Sequence, residues 1–331
     1  MFHCMGQLPF EKIKREIIIK KEATSSEKFG CKPEERSIEQ LIKYGLININ
    51  KPAGPTSHQI SECVKNILNI DKAGHFGTLD PNVTGVLSIG LGKATILANF
   101  LLSAGKEYVC LMYLHKDVET KKIIETAKKF TGIITQLPPV RSAIKRQERE
   151  REIYYFELLE IDGREVLFKV GCEAGTYIRK LCSDFGKALK TDANMSQLIR
   201  TKAGPFLYED MVTLHDLQDA YVYWKEGDEK LLRKIILPIE AGVKHLPKIY
   251  VLDSAIDALC HGAYLYAIGV SKFESNIDRG DLVAVMSLKG ELICVGYAEM
   301  NSKELGKRER GTAIRTTRVF MERGTYANKN Q

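Results

Sequence analysis

The chain has 331 residues, 44% hydrophobic and 27% charged, a composition of ordinary globular domains with room for two cores. Its formal net charge of +7 permits a polyanionic partner without requiring one. The eight cysteines stand singly, which points away from a zinc motif and a disulfide framework and fits a reducing cytoplasm, and no window is apolar enough to span a bilayer, so no membrane association is expected.

Residues 1–44 mix charges with short apolar runs such as Ile17-Ile18-Ile19 and read as an extended arm that packs on the C-terminal domain. Gly45 to Asn50 alternates like a short strand. Ile60, Val64, Ile67 and Leu68 then recur at helical spacing over 57–70, with Ser57 as the expected N-cap. After a glycine-rich loop come an expected buried strand at 86–91, a helix at 94–102, a strand at 108–114 and a helix at 120–130. Residues 153–161 and 165–172 form a hairpin through Asp162-Gly163, and a helix follows over 176–189. A polar break at 244–248 marks a domain boundary, giving domains at 45–246 and 247–331. The second is small and β-rich, with a hairpin turn at Lys289-Gly290.

The loop between the first helix and the second strand carries the chemistry. In Lys72-Ala73-Gly74-His75-Phe76-Gly77-Thr78-Leu79-Asp80-Pro81-Asn82-Val83-Thr84-Gly85-Val86-Leu87, one carboxylate sits among three glycines, and Pro81 biases it toward an extended backbone. Such a loop can aim a carboxylate into a cleft, although an isolated Asp-Pro more often caps a turn.

With Lys51-Pro52-Ala53-Gly54-Pro55-Thr56-Ser57-His58 upstream and Lys106-Glu107-Tyr108, 173–181 (EAGTYIRKL) and 198–206 (LIRTKAGPF) downstream, the pattern resembles the pseudouridine synthases of the TruB and dyskerin group. The resemblance runs from about Leu8 to about Arg323. It implies an α+β catalytic domain whose mixed, mainly antiparallel sheet is flanked by helices, followed by a small β-rich PUA domain. The implied reaction converts uridine in RNA to pseudouridine, which needs no redox step and no cofactor or metal.

By the same resemblance Asp80 is the catalytic aspartate and Arg179 its ion-pair partner. Tyr108 stacks on the target base and is a candidate base for the C5 proton, Tyr177 and Leu198 wall the pocket, and His75 fills the space of the flipped-out nucleotide. An aspartate in a pocket that excludes water needs such a cation to stay ionised. Phe76 stands where the family usually has a small residue and is expected to add stacking surface. Whether Asp80 attacks the sugar, adds to the base or takes a ribose proton stays open.

RNA contacts are expected from Lys51 and Arg200, and from Arg141, Lys145 and Arg146 in the segment 138–151, which resembles the family's thumb loop. His261, Gly262 and Arg279 of the PUA-like segment are expected to meet RNA as well. The leading arm and complete PUA segment look like the archaeal and dyskerin-type enzymes. These are the catalytic subunits of box H/ACA ribonucleoproteins, working on ribosomal RNA with a guide RNA, Nop-type and Gar-type subunits and a kink-turn binding protein. A guide-independent enzyme acting on the T loop of transfer RNA, and a non-catalytic RNA scaffold, are the alternatives.

Overall fold

The computed structural model describes residues 6–137 and 147–326. Two compact α+β units result, one from residues 6–12 and 46–236, the other from 13–45 and 237–326.

In the first unit the strands lie in the order Gly45–Lys51, Thr84–Leu91, Ala193–Ala203, Lys106–Leu114, Glu165–Cys172, Arg149–Asp162, Gly132–Gln136. The short strand Ala73–His75 pairs with Thr84–Leu91 as well. Thr84–Leu91 and Ala193–Ala203 run parallel, and the pairs outward from Ala193–Ala203 are antiparallel, as is Gly45–Lys51 with Thr84–Leu91. The period-two pattern is legible in the core: Cys110, Met112 and Leu114 of one strand meet Val166, Phe168, Val170 and Cys172 of its neighbour. Helix Ile178–Ala188 covers them with Ile178, Leu181, Cys182 and Phe185. The Phe156 ring stacks on Phe168 at 4.5 Å and on Phe185 at 5.6 Å between centroids, which fixes the helix on the sheet.

Local elements follow the sequence with instructive departures. The expected helix at 94–102 is a 3-10 turn, Gly92–Leu97, that tightens into a single α-helical turn, Ala98–Leu101. The first long helix is Ser57–Leu68, but its N-cap is Thr56, whose hydroxyl accepts from the Gln59 amide at 3.2 Å while the Gln59 side chain returns the bond. Ser57, expected as the cap, has another task described below.

The leading arm divides. Residues 6–12 belong to the catalytic unit rather than to the C-terminal one, because Leu8 is fully buried there and Glu11 accepts from Lys202 Nζ at 2.9 and 3.1 Å. The Tyr155 ring lies so close to Gly6 and Gly171 that a Cβ at either position would fall within 2.4 Å of it. Tyr155 Oη in turn donates to the buried Glu107, which also accepts from Thr201 Oγ1 at 2.7 Å. Glu107 of the Lys-Glu-Tyr motif is thereby a structural carboxylate.

Residues 13–45 join the second unit. Its sheet runs Ile17–Ile19, Val270–Glu274, Lys248–Val251, Leu282–Met286, Leu292–Ala298, Thr312–Val319, Leu265–Tyr266. Two acidic side chains tie the incoming chain down: Glu240 takes a bidentate pair from Arg36 at 2.8 Å, and Glu291 accepts from Tyr326 Oη at 2.6 Å and from the Cys31 amide at 3.2 Å.

Gly85 sets the junction of the two parallel strands. At φ +102° its Cβ position would lie 2.3 Å from the Arg200 carbonyl oxygen. Backbone cannot yield there as a side-chain tip can, so Gly85→Ala is expected to lower stability by about 2–4 kcal/mol in urea unfolding. A loss under about 0.5 kcal/mol, the range of a surface change, would contradict this reading.

Candidate active site

Asp80 is placed by bonds to the residues on either side of it. Ser57 Oγ accepts from the Leu79 amide at 2.8 Å and reaches the Leu79 carbonyl at 3.1 Å, so one buried hydroxyl holds the peptide just before the aspartate. The Gly54 amide donates to the Pro81 carbonyl at 2.9 Å, and the Val83 amide to the carbonyl of Asp80 itself at 3.0 Å. Lys51, fully buried, spends its three ammonium protons on the carbonyls of Pro52 at 2.8 Å, Pro81 at 2.8 Å and Val83 at 2.9 Å. The Lys-Pro-Ala-Gly-Pro-Thr-Ser segment is thus a clamp for the Asp80 loop.

Two further buried cations continue this scaffold. Arg200, 1% exposed, donates from Nε to the Val86 carbonyl at 2.8 Å and from Nη2 to the Gly77 carbonyl at 3.0 Å. Lys106 donates to the carbonyls of Leu101, Leu102 and Ala104 at 3.2, 2.8 and 2.5 Å, closing the end of the short helix before the Tyr108 strand. Burial, and then the Arg200 charge, lower the pKa of Lys51 and push that of Lys106 down to about 7.

The Asp80 carboxylate pairs with the Arg179 guanidinium. Arg179 is the second residue of helix Ile178–Ala188, whose positive N-terminal end also favours a carboxylate. Tyr177 is the residue that enters this helix: its amide donates to Gln136 Oε1 at 3.0 Å and its carbonyl accepts from Gln136 Nε2 at 3.2 Å. One apolar cluster takes in Leu79 and Val83 from the loop, Ile178 from the helix and Leu198 from the central strand, with Tyr108 packed against it. Leu198 and Tyr108 thus pack with the sequence neighbours of Asp80 and Arg179, and those two pair with each other. The Tyr108 hydroxyl pKa is raised by burial and drawn back by Arg200. His75 lies on the strand Ala73–His75, opposite Ile89, with its Nδ1 buried and its pKa lowered by burial.

Several expectations are corrected. Lys51 and Arg200 do not face RNA: both are interior cations, Lys51 bonded to three main-chain carbonyls and Arg200 to two. Phe76 offers no stacking surface, since it is 1% exposed and its ring tip lies where a Gly90 side chain would start. The Asp80–Arg179 pair is not sealed from water; its side chains are 53% and 56% exposed, so exclusion of water requires a covering ligand. His261 is half-exposed, its Nδ1 on the Asp257 carbonyl at 2.8 Å, and Gly262 turns at φ +88°. Arg279 is exposed but engaged by Glu304 through two bonds. Arg141, Lys145 and Arg146 lie outside the described residues.

Sequence reasoning took Ser57 for a cap, gave Lys106 no role within its motif, and misread Lys51 and Arg200 as RNA contacts. The signal for Arg200 was present: Leu198 and Arg200 are two apart on a strand and therefore share its inward face.

The buried lysines make stability testable. Lys51→Met removes the donor from three carbonyls, of which Pro81 keeps only the Gly54 amide, and is expected to cost about 3 kcal/mol in chemical unfolding, whereas an unchanged midpoint would exclude the clamp. For Lys106 the folded pKa of about 7 lies below the ordinary 10.5, so the unfolded chain binds more protons between those values. Stability contributed by this group accordingly rises with pH from about 7 to about 10. Wild type should gain on Lys106→Met over that window in unfolding measured at stepped pH; a constant difference would refute the shift.

The chain is similar to known proteins along nearly its whole length. Family models match along the chain: the DKCLD domain at residues 6–61, the N-terminal domain of TruB family pseudouridylate synthases at 65–178, the tRNA pseudouridylate synthase B C-terminal domain at 179–244 and the PUA domain at 247–320. A Methanopyrus kandleri protein named "Probable tRNA pseudouridine synthase B" is 53% identical over 97% of this chain and 95% of its own length. One of the same name from Pyrococcus horikoshii is 55% identical over 95% of each. Among solved structures, a Cbf5-Nop10-Gar1 complex contains a chain 52% identical, with a TM-score of 0.91 over 97% of this chain and 98% of that one. An H/ACA ribonucleoprotein bound to a substrate RNA containing 2′-deoxyuridine gives 50% identity and a TM-score of 0.91 over 97% and 99%. The carboxylate loop, its paired arginine and these similarities lead to one conclusion: the chain belongs to the TruB family of pseudouridylate synthases, with a leading DKCLD segment and a C-terminal PUA domain.

Proposed function

We propose that the chain isomerises uridine to pseudouridine in RNA at a site selected by a box H/ACA guide RNA, acting with small Nop10-type and Gar1-type subunits. The observation that carries the catalytic reading is the Asp80–Arg179 pair at the mouth of an otherwise apolar cluster. The guided reading rests on similarity across nearly the full length to chains of solved H/ACA complexes.

In this reading the uracil enters between Tyr108 and Leu198 and covers the carboxylate, and the loss of water strengthens its interaction with the reacting sugar and base. Arg179 keeps Asp80 ionised and oriented as that happens. The carboxylate supplies electron density while the N1–C1′ bond breaks, the base turns, C5 bonds to C1′, and the C5 proton departs to Tyr108. Atoms balance within the nucleotide apart from a proton lost from C5 and one gained at N1.

Two outcomes are expected. Asp80→Asn should abolish product, by at least about a thousandfold in single-turnover rate, while RNA affinity stays within about twofold; near wild-type isomerisation would exclude the assignment. Incubated with a ribosomal RNA fragment, the chain alone should act poorly, and addition of a box H/ACA guide with the accessory proteins should raise conversion at the guide-specified uridine by at least about tenfold. Equal conversion without guide, in ribosomal RNA or in a transfer RNA T loop, would favour a guide-independent enzyme.

A further inference from the structure

We propose that Arg200 is a positioning residue for the isomerisation, a single buried guanidinium that fixes the Asp80 loop at both ends and sets its charge beside Tyr108, coupling the carboxylate loop to the phenol about one uracil ring. The inference rests on the pseudouridine synthase reading and adds a residue to its machinery.

The backbone already places Arg200 between the two groups. Its strand, Ala193–Ala203, lies between the strand that follows Asp80 and the strand that bears Tyr108, and Arg200 is the register partner of Gly85 on one side and of Tyr108 on the other. The register shifts between Glu107 and Tyr108, so the tyrosine is seated by an irregularity at this point of the ladder. From there the guanidinium reaches the Gly77 and Val86 carbonyls, which bracket Asp80 in sequence. Gly77 sits at φ +124° with Arg200 Nη1 only 3.6 Å from its Cβ position, so loop and guanidinium are fitted to each other.

Nothing in this arrangement serves simple core filling. An apolar residue could fill the volume, whereas a planar fork is needed to hold two carbonyls on separate segments. Among the described residues no carboxylate bonds to the guanidinium, so its charge remains free to act on its neighbours. Tyr108 is one of them: the titratable groups acting on it are Arg200 from the neighbouring strand on one side and Cys172 from the neighbouring strand on the other. The Arg200 charge, on the strand paired with that of Tyr108, favours the phenolate and so opposes the burial that raises the hydroxyl pKa. In the last step the C5–H bond breaks, its electron pair forms the C5–C6 double bond, the displaced C6–N1 pair takes a proton from water at N1, and the C5 proton passes to the Tyr108 oxygen in the deprotonated fraction that the Arg200 charge favours against burial. The resulting phenol returns its proton to water after product leaves.

The test uses the guided complex with full-length chain, at saturating RNA, in single turnover from pH 6 to 10. Arg200→Gln is expected to lower the rate by at least about tenfold, with RNA affinity within about twofold, and to move the ascending limb of the profile to higher pH. In a Tyr108→Phe background the same change should no longer move the limb. Arg200→Lys, which keeps charge but loses the fork, should lower the rate with a smaller shift of the limb. If Arg200→Gln does not fold, the Lys variant decides, and a wild-type rate for it overturns the proposal. An unmoved limb in folded Arg200→Gln, or an equal shift with and without the Tyr108 hydroxyl, overturns it as well. Independently of any activity, the Tyr108 ring carbon resonance in tyrosine-labelled protein, assigned by its loss in Tyr108→Phe, should titrate at higher pH in Arg200→Gln. An unchanged midpoint is incompatible with the proposal, whereas an inactive wild type with a shifted midpoint would count against the reaction and spare the contact.

Discussion

The catalytic unit depends on buried cations bonded to main-chain carbonyls. Lys51, Arg200 and Lys106 are each at most 5% exposed, and together they accept the task usually given to secondary structure at a loop: they satisfy backbone oxygens that have no ladder partner. An interior ammonium is expensive to desolvate, and three close carbonyl dipoles offset part of that penalty. The arrangement is worth its cost only because a loop with Gly77 and Gly85 at positive φ has little conformational preference of its own. Lys51 and Arg200 convert a permissive loop into one conformation, and Lys106 closes the short helix that precedes the Tyr108 strand.

This explains how an exposed carboxylate can be accurately placed. The Asp80–Arg179 pair is solvated on both sides and contributes little to stability as an ion pair. Its geometry is inherited from below, through Ser57 at the Leu79 peptide, Lys51 at Pro81 and Val83, and the Ile178–Phe185 face of the catalytic helix. Reactive groups at the surface and the ties that place them in the interior is a division of labour that leaves the carboxylate accessible to a large substrate.

Much of this was legible in the sequence. The alternation in Lys106–Leu114 and Glu165–Cys172, the Asp162-Gly163 turn and the helical spacing after Tyr177 gave the frame, and the motif around Asp80 gave the residue with its arginine. What escaped was the role of charge. A lysine or arginine in a basic chain invites an RNA contact, and nothing local to Lys51 reveals three carbonyls from two segments, one of them 30 residues on. Ser57 was read as a cap because serine before an apolar period normally is one; Thr56 took that position and released the hydroxyl for the Leu79 peptide. The split of the leading arm at Lys12 is tertiary as well, set by where Leu8 and Glu11 find partners.

The carbonyl-bonded cations also give the site an unusual response to heat. Hydration of charged groups becomes less favourable as temperature rises, so the penalty for keeping Lys51 and Arg200 out of water shrinks on warming, while stabilisation from apolar burial levels off. The supports of the Asp80 loop should therefore soften later than the apolar packing around them.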